Sequence, residues 1–323
     1  MTTVEGDPVG GRSDERVVAG LDVGGSKTLA VLADARGQVL TSIRRAAGHR
    51  GPEGLLATVT GALTELAAAA AVPVDAVAAV GIGVPGLVDP TNGTLRHAVN
   101  LGIADGPFDL AGPVGRLVDA PVLVGNDTNL AALGAASLFG DAADIAYLCL
   151  GTGVSVGLVV DGQVHPGRHG MAGEIGHLPI DPQGEACECG QRGCLETVIS
   201  GRAIARRWPA DRAGGLGPTA ALVAAASAGD TKAVAVRDDV CRSIAAAVAL
   251  VAQSIDPELV ILGGGVVEAG RPLLEAVRAA LRARADSSPL LGAFDLAEMV
   301  AIVPDGAPVG AMGAARAAWG ALP

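Results

Sequence analysis

Aromatic residues and cations are scarce in this sequence. Three Phe, two Trp and one Tyr occur among its 323 residues, although half of the chain is hydrophobic. The core must therefore be built mainly from Ala, Val and Leu, which suits helices packed on a sheet. Twenty-three Lys and Arg against 34 Asp and Glu give a net charge of −11. Such an acidic chain argues against nucleic acid as the main partner, since phosphate contacts need a basic surface.

The sequence also lacks long apolar runs. Residues 1–16 carry Glu5, Asp14 and Glu15 and have no apolar segment of the kind found in signal peptides, so we expect a disordered tail there. No apolar run reaches the roughly 18 residues that a membrane helix needs. We therefore expect a cytoplasmic protein with no membrane partner.

Cysteines are few, and three of the five fall within eight residues, from Cys187 to Cys194. In a reducing compartment such a cluster indicates metal binding more often than disulfides. The other two, Cys149 and Cys241, lie in a predicted strand and a predicted helix. We interpret both as core residues.

Apolar runs and helix-like patterns alternate along the chain, which predicts an α/β fold. A run from residue 17 to 34 reads as strand, Gly-rich turn and strand, and a similar run starts at residue 145. We place a domain boundary near residue 138. The prediction is an N-terminal domain over 17–138 and a C-terminal domain over 139–305, with the last helix, within 306–323, completing the first domain.

The two Gly-rich turns are candidates for phosphate binding. The first, DVGGSKT at residues 22–28, combines Gly24 and Gly25 with two hydroxyls, a lysine and a neighbouring Asp22. Glycines let the backbone approach an anion, and successive amides can hold phosphate oxygens. An Asp beside such a turn can hold Mg²⁺, usually through water. The second turn, LGTG at residues 150–153, repeats the device with Thr152 as its hydroxyl. Two ordinary hairpin turns are the alternative.

Two further segments lie at predicted strand ends. LVILGGGVV places Gly263, Gly264 and Gly265 at the end of a buried strand, where ligands of open α/β sheets bind; close helix packing is the alternative. VGND places Asn126 and Asp127 at another strand end. A carboxylate there could accept the proton of an attacking hydroxyl. Position alone favours Asp127 as the cap of the helix that starts at Thr128, and the two roles are compatible.

The strongest local signal is a set of metal-ligating residues within the loop 177–196. One imidazole and three thiolates form a closed tetrahedral set that suits structural Zn²⁺. The set comprises His177, Cys187, Cys189 and Cys194. Gly190 and Gly193 would permit the sharp turn that brings the thiolates together, although free loop cysteines are the alternative. With no coordination position left open, zinc would shape the loop rather than act as a Lewis acid.

Two carboxylates, Glu174 and Glu196, flank the metal set. Solvated loop acids are the usual explanation of such residues. Their placement on either side of the metal set nevertheless suggests a polar pocket.

These motifs together resemble the ROK family, within the actin-like ATPase and hexokinase superfamily. The most specific match is GEIGH at residues 173–177 followed by C-x-C-G-x-x-G-C-x-E at 187–196. DVGGSKT and LGTG resemble the family's phosphate segments, VPGLVD and GND its sugar-side segments, and LGGGVV its adenosine segment. The resemblance covers roughly residues 17–319 and implies two actin-like ATPase domains, of ribonuclease H-like fold, with a cleft between them.

The resemblance implies an ATP-dependent sugar kinase with structural Zn²⁺ and with Mg²⁺ near Asp22. Asp127 would be the general base on a sugar hydroxyl. The sugar would be held by Asn126, Glu174, His177 and Glu196. The nucleotide would be held by Asp22, Gly24, Gly25, Lys27, Thr28, Gly151, Thr152, Gly153, Gly263, Gly264 and Gly265. Relatives commonly form dimers or tetramers, so we expect a homo-oligomer.

The identity of the sugar and two other functions stay open at this point. Ile103 stands where many sugar kinases of the family carry Trp, which leaves glucose and relatives such as N-acetylglucosamine or N-acetylmannosamine. A sugar-responsive regulator, or a sugar-binding protein without kinase activity, is one alternative. We expect no helix-turn-helix domain, since about 16 acidic and Gly-rich residues precede the first predicted strand. A third interpretation is an ATPase of the actin or chaperone type, since the two Gly-rich turns fit it equally well. Proteins of that type lack the zinc loop.

Overall fold

The computed structural model describes residues 16–46, 48, 51–89, 92–96, 98–103, 106–140, 142–209 and 215–322. The tail predicted to be disordered lies outside these residues except for Arg16. The Arg16 guanidinium lies over the ring of Trp319, 5.5 Å from its centroid.

The described residues form strands and helices in alternation, which confirms the α/β prediction. The strands are β1 (Val17–Val23), β2 (Lys27–Ala33), β3 (Val39–Ala46), β4 (Val77–Val84), β5 (Leu87–Asp89), β6 (Thr94–Arg96), β7 (Phe108–Asp109), β8 (Val122–Asn126), β9 (Ile145–Leu150), β10 (Val154–Val160), β11 (Gln163–Val164), β12 (Leu259–Gly263) and β13 (Val300–Ile302). The helices are α1 (Pro52–Ala69), α2 (Ala111–Val118), α3 (Asp127–Leu138), α4 (Glu196–Ile199), α5 (Gly201–Arg207), α6 (Pro218–Ser227), α7 (Thr231–Ile255), α8 (Arg271–Asp286) and α9 (Val309–Gly320).

Helix boundaries follow from local sequence. Pro52 occupies the first turn of α1, where its missing N–H is not needed. Helix α7 begins after α6 as a separate helix, because Asp230 caps it by accepting hydrogen bonds from the amides of Lys232 and Ala233. Within the described part of the chain, no helix is both long enough and apolar enough to cross a membrane.

Two five-stranded sheets share one strand order. The first runs β3-β2-β1-β4-β8 and the second β11-β10-β9-β12-β13. In each sheet the central strand pairs antiparallel with the next strand along the chain, in the hairpins β1–β2 and β9–β10. On its other side the central strand pairs parallel, with β4 or with β12. The loose sequence repeat between the two Gly-rich hairpins therefore corresponds to a repeat in topology.

Helices α3 and α9 lie between the two sheets. A Cβ at Gly134 would overlap the Val309 carbonyl, and a Cβ at Gly313 would overlap the Leu130 carbonyl, so the two helix backbones touch. Helix α9 packs on the first sheet, where Gly20 leaves room for the Ala311 carbonyl. Helix α3 packs on the second sheet through buried alanines that contact Ile145 and Tyr147. This arrangement places the start of α3, with Asp127, beside both sheets.

Candidate active site

Asp22 lies at the end of β1, on the face of the first sheet that is covered by α9. A Cβ at Gly310, in the first turn of α9, would lie 2.7 Å from the Asp22 carboxyl, so glycine permits this approach. Burial raises the pKa of Asp22 to about 6, and the charge of Asp127 adds to the rise while Lys27 opposes it. Asp127 is therefore close enough to Asp22 to influence its ionisation.

Asp127 is the first residue of α3, and the residue before it supplies the cap. Asn126 Oδ1 accepts a hydrogen bond from the amide of Asn129 at 3.1 Å. The assignment of the cap to Asp127 from position was therefore wrong by one residue. Asp127 Oδ1 accepts from the amide of Thr128 at 2.7 Å. Burial raises the pKa of Asp127 despite this hydrogen bond.

Glu174 and His177 lie along the outer edge of β10. The segment that carries them approaches the strand closely because a Cβ at Gly173 or at Gly176 would overlap the strand's carbonyls. Partial burial raises the pKa of Glu174, with Asp127 and Glu196 contributing, and His177 lowers it. Glu174 Oε2 is 4.0 Å from His177 Nε2. The structure thus places Glu174 within electrostatic range of Asp127 and Glu196.

Glu196 connects the metal loop with the second Gly-rich turn. Its Oε2 accepts from the amide of Val154 at 2.9 Å. A Cβ at Gly153 would lie 2.5 Å from the same oxygen, so the turn needs glycine there. Thr152, at the tip of this turn, is exposed.

The metal-ligating residues converge as the sequence predicts. The ligand atoms of His177, Cys187, Cys189 and Cys194 all lie within 4.8 Å of one another. The sulfurs of Cys189 and Cys194 are 3.7 Å apart, close to the separation of about 3.8 Å that two sulfurs have around tetrahedral Zn²⁺ with bonds of about 2.3 Å. Cys187 Sγ is 3.6 Å from His177 Nδ1. The residues present therefore fit a tetrahedral ion, with His177 Nε2 turned towards Glu174.

The loop around this set depends on glycines with positive φ. Gly190 and Gly193 have φ of 92° and 65°, a region that side chains with a Cβ rarely adopt. Gln191 Nε2 donates to the His177 carbonyl at 2.9 Å and approaches Cys189 Sγ at 3.5 Å. These contacts fix the ligands from outside the set.

Thr28 is a predicted nucleotide residue whose side chain lies on the opposite face of the first sheet from Asp22. It is buried, and its hydroxyl has no hydrogen-bond partner among the described residues. Alternation along β2 puts Thr28 on the side of Ala30 and Leu32, which contact α1, whereas Asp22 faces α9. The geometry gives no support to a side-chain contact between Thr28 and phosphate. Lys27, the residue before Thr28, is exposed, and its charge lowers the pKa of Asp22.

The glycines after β12 have different surroundings. Gly263 packs under the ring of Tyr147, and Gly264, with φ of 83°, lies against the Leu150 carbonyl at the start of the second turn. Both therefore have a packing reason to be glycine. Gly265 has open space around its Cα, as a ligand-facing position requires.

Tyr147 was not identified from the sequence as a neighbour of the candidate site. This residue is the only tyrosine, and it is buried in β9 close to Cys149, Asp22 and Asp127. Burial raises its pKa, and that of Cys149 to about 12, so both stay neutral. The signal available in the sequence was a tyrosine in a strand two residues before Cys149 and just ahead of a Gly-rich turn.

The sequence profile of the ROK family matches residues 18–318. This chain belongs to the ROK family. Its two sheets of equal strand order correspond to the two actin-like ATPase domains of that family.

Curated ROK relatives include sugar kinases. A glucokinase of Halalkalibacterium halodurans is 38% identical over 216 residues, which cover 62% of this chain and 64% of that protein. A glucokinase of Thermotoga maritima is 32% identical over 80% of this chain and 85% of its own length. An N-acetylmannosamine kinase of Yersinia pseudotuberculosis is 34% identical over 76% of this chain and 82% of that protein.

Solved structures of the family are similar over nearly the whole chain. The ROK hexokinase of Thermus thermophilus has 31% identity and a TM-score of 0.75, covering 94% of this chain and 98% of that one. The glucokinase of Streptomyces griseus, in complex with glucose and AMPPNP, has 29% identity and a TM-score of 0.75, covering 94% and 99%. A ROK transcriptional regulator homologous to the E. coli MLC protein has 27% identity and a TM-score of 0.76, covering 95% and 79%.

Proposed function

We propose that this chain is a sugar kinase that transfers the terminal phosphate of ATP to a hydroxyl of a hexose, glucose or a close relative such as N-acetylglucosamine or N-acetylmannosamine. The observation that carries the proposal is that Asp22 lies near Asp127 at the start of α3, where the Thr128 hydroxyl is 2.8 Å from that of Ser155, in the strand that follows the second Gly-rich turn. Phosphoryl transfer needs positioning, charge neutralisation and a base near the nucleophile. Kinase names among the relatives support the same activity.

Asp127 is the proposed general base. It must be ionised to accept a proton from the sugar hydroxyl, and its raised pKa makes it a stronger base than an exposed aspartate. The hydrogen bond from the Thr128 amide occupies Oδ1 and fixes the carboxylate. Oδ2 is then the atom proposed to face the sugar.

The sugar pocket is proposed to consist of Asn126, Glu174, His177 and Glu196. Asn126 uses its Oδ1 as the helix cap, so its contribution would come from Nδ2, which lies 3.4 Å from the Gly86 carbonyl. Glu174 Oε2 and His177 Nε2 are 4.0 Å apart. With His177 Nδ1 on the metal, Nε2 would donate to a sugar hydroxyl, and the Glu174 carboxylate would accept from one. Carboxylates and an imidazole suit the dense hydroxyl groups of a hexose.

The nucleotide is proposed to bind between the two Gly-rich turns, with Lys27, Thr152 and Gly265 on its path. Asp22 would hold Mg²⁺, which when bound neutralises phosphate charge. Closure of the cleft would exclude water and so limit hydrolysis of ATP. Cytoplasmic location and a homo-oligomeric state remain predictions.

The metal set is proposed to hold one structural Zn²⁺ through His177, Cys187, Cys189 and Cys194. Four protein ligands leave no open position, so the ion would fix the pocket loop. Elemental analysis should find about one zinc per chain, and Cys189→Ala should lower that content and raise the KM for sugar. Full zinc content in this variant would remove Cys189 from the ligand set.

A coupled ADP-release assay over about a dozen hexoses and amino sugars tests the proposed activity. We expect sugar-dependent ADP release with at least one of them. Hydrolysis at full rate without sugar would instead indicate an ATPase.

The regulator in the family comparison supports a second candidate, a sugar-responsive DNA-binding protein. A gel-shift assay at moderate salt with genomic fragments decides between them. Sugar-dependent retention of DNA would favour the regulator, and the net charge of −11 leads us to expect none.

A further inference from the structure

The second Gly-rich turn is held from both sides by residues that follow the last cysteine of the metal set. On one side Glu196 Oε2 accepts from the Val154 amide at 2.9 Å. On the other side the Gly201 amide donates to the Gly151 carbonyl at 2.7 Å. Glu196 and Gly201 therefore bracket the turn from Gly151 to Val154.

The segment that supplies these contacts is itself fixed to the metal loop. The amide and the hydroxyl of Thr197 both donate to the Cys194 carbonyl, at 2.9 and 2.7 Å. The Leu195 amide donates to the Leu178 carbonyl at 3.0 Å, and Ile199 is fully buried in the core of the second domain. The position of the Glu196 side chain therefore depends on the position of Cys194, two residues before it.

The amide that Glu196 engages belongs to the strand and not to the tip of the turn. Val154 is the first residue of β10, and the next outward-pointing amide, that of Val156, donates to the Gly173 carbonyl at 2.8 Å along the same edge. Within the turn, the Gly151 amide donates to the Gly153 carbonyl at 3.0 Å. Glu196 can therefore hold the turn while the amides at its tip stay available to a phosphate.

We propose that Glu196 is a positioning residue of the nucleotide site: its carboxylate fixes the second Gly-rich turn, so the metal loop sets nucleotide affinity as well as the shape of the sugar pocket. This role rests on the proposed kinase function. It is compatible with a sugar contact, because Oε2 serves Val154 and Oε1 is left for a hydroxyl.

Calorimetric binding of AMPPNP with Mg²⁺, in the absence of sugar, tests this role in the 323-residue chain. Glu196→Gln keeps an oxygen that can accept from Val154, so its Kd should stay within about twofold of wild type. Glu196→Asp is shorter by one methylene and Glu196→Ala has no acceptor, so both should raise the Kd about five- to tenfold. A role limited to negative charge would produce the opposite order for Gln and Asp.

Glu258→Ala is the matched control. Glu258 Oε1 accepts from the amides of Ala143 and Asp144 at 3.0 and 3.2 Å, before the start of β9 and far from its turn. Its loss also removes a carboxylate from backbone amides, but we expect AMPPNP affinity to stay within about twofold of wild type.

The outcomes separate this role from the kinase proposal. If wild type binds AMPPNP and phosphorylates a hexose, but Glu196→Asp and Glu196→Ala bind AMPPNP as wild type does or more tightly, the positioning role is wrong. If wild type neither binds AMPPNP nor releases ADP, the kinase proposal is wrong, and the positioning role that rests on it is wrong as well. If Glu196→Ala does not fold, the Gln and Asp variants still decide.

Discussion

The hairpins β1–β2 and β9–β10 occupy the same place in sheets of equal strand order, but they carry different chemistry. The penultimate residue of β1 is Asp22, and that of β9 is Cys149. Both side chains lie near Asp127. Burial holds the pKa of the Cys149 thiol at about 12, so it is neutral where Asp22 can be charged. The repeated topology therefore supplies two turns, while the acidic group at this position belongs to the first alone.

The two turns also differ in what supports them. Each turn contains one internal hydrogen bond, from the Gly24 amide to the Lys27 carbonyl at 2.9 Å in the first and from the Gly151 amide to the Gly153 carbonyl at 3.0 Å in the second. The second turn is in addition held from outside, by Glu196 and Gly201. Because Glu196 and Gly201 follow the metal loop, a change in that loop should displace the second turn. The first turn, the other half of the proposed nucleotide site, should be less sensitive to the metal loop.

The largest expected effect is at Asp127, which both hairpins approach. Asp127→Asn removes the proposed base but keeps an oxygen for the Thr128 amide. Turnover should fall about 10²- to 10⁴-fold, with sugar affinity within about threefold of wild type. Initial rates and calorimetric sugar binding check this.

Asp34→Asn is the control for that substitution. Asp34 also accepts backbone hydrogen bonds, from the amides of Arg36 and Gln38 at 2.9 Å, in the turn after β2. Turnover should be unchanged. Near-normal turnover in Asp127→Asn would refute the assignment of the base.

Substitution of Asp22 should show how much the buried charge of the first hairpin destabilises the fold. Its pKa rises from 3.8 to about 6 on folding, so the folded state disfavours ionisation and stability falls as pH rises from about 4 to 6. At pH 8, without Mg²⁺, Asp22→Asn should raise the free energy of unfolding by up to about 3 kcal/mol and leave it unchanged near pH 3. Turnover should fall, because the Mg²⁺ ligand is lost.

Urea unfolding at pH 3, 5 and 8 in EDTA measures this effect. An equal free energy of unfolding for wild type and Asp22→Asn at pH 8 would show that the buried carboxylate costs nothing.

Gly157 tests the contact between α3 and the second hairpin. A Cβ there would overlap the Thr128 carbonyl and crowd the Ala132 methyl at 2.8 Å. Gly157→Ala should destabilise the fold by about 1–3 kcal/mol and lower turnover, because it displaces the start of α3 and with it Asp127. Thermal unfolding and initial rates measure both.

Gly320→Ala is the matched control, since a Cβ at this last residue of α9 meets nothing within 4 Å. It should leave stability unchanged or slightly higher. Equal stability of Gly157→Ala and Gly320→Ala would contradict close packing at Gly157.

The smallest effect is expected at Cys149, the counterpart of Asp22. Cys149→Ser exchanges one neutral group for another beside Tyr147, so turnover should stay within about twofold of wild type and stability should fall by about 1 kcal/mol. Loss of most turnover would mean that the second hairpin contributes a reacting group after all.

Local patterns predicted much of the fold and of the metal set. Gly-rich turns between β-rich runs predicted both hairpins, and the spacing from His177 to Cys194 predicted a cluster that the structure brings together. Each of these features is encoded within a short stretch, where residue type and spacing determine geometry.

Features that depend on distant pairing could not be predicted. The contact of Glu196 with Val154 joins residues 42 apart in sequence, and the side of β2 on which Thr28 lies depends on how the sheet packs against α1 and α9. The cap of α3 was misassigned to Asp127 because Asn and Asp are equally good caps, and only the helix start separates them.

A crystal structure with glucose and AMPPNP bound tests most directly whether both turns and Asp127 serve one cleft. The predicted result is a sugar hydroxyl within about 2.6–3.2 Å of the Asp127 carboxylate, with the triphosphate between the two Gly-rich turns. Sugar bound beyond reach of Asp127, or a triphosphate that touches neither turn, would contradict it.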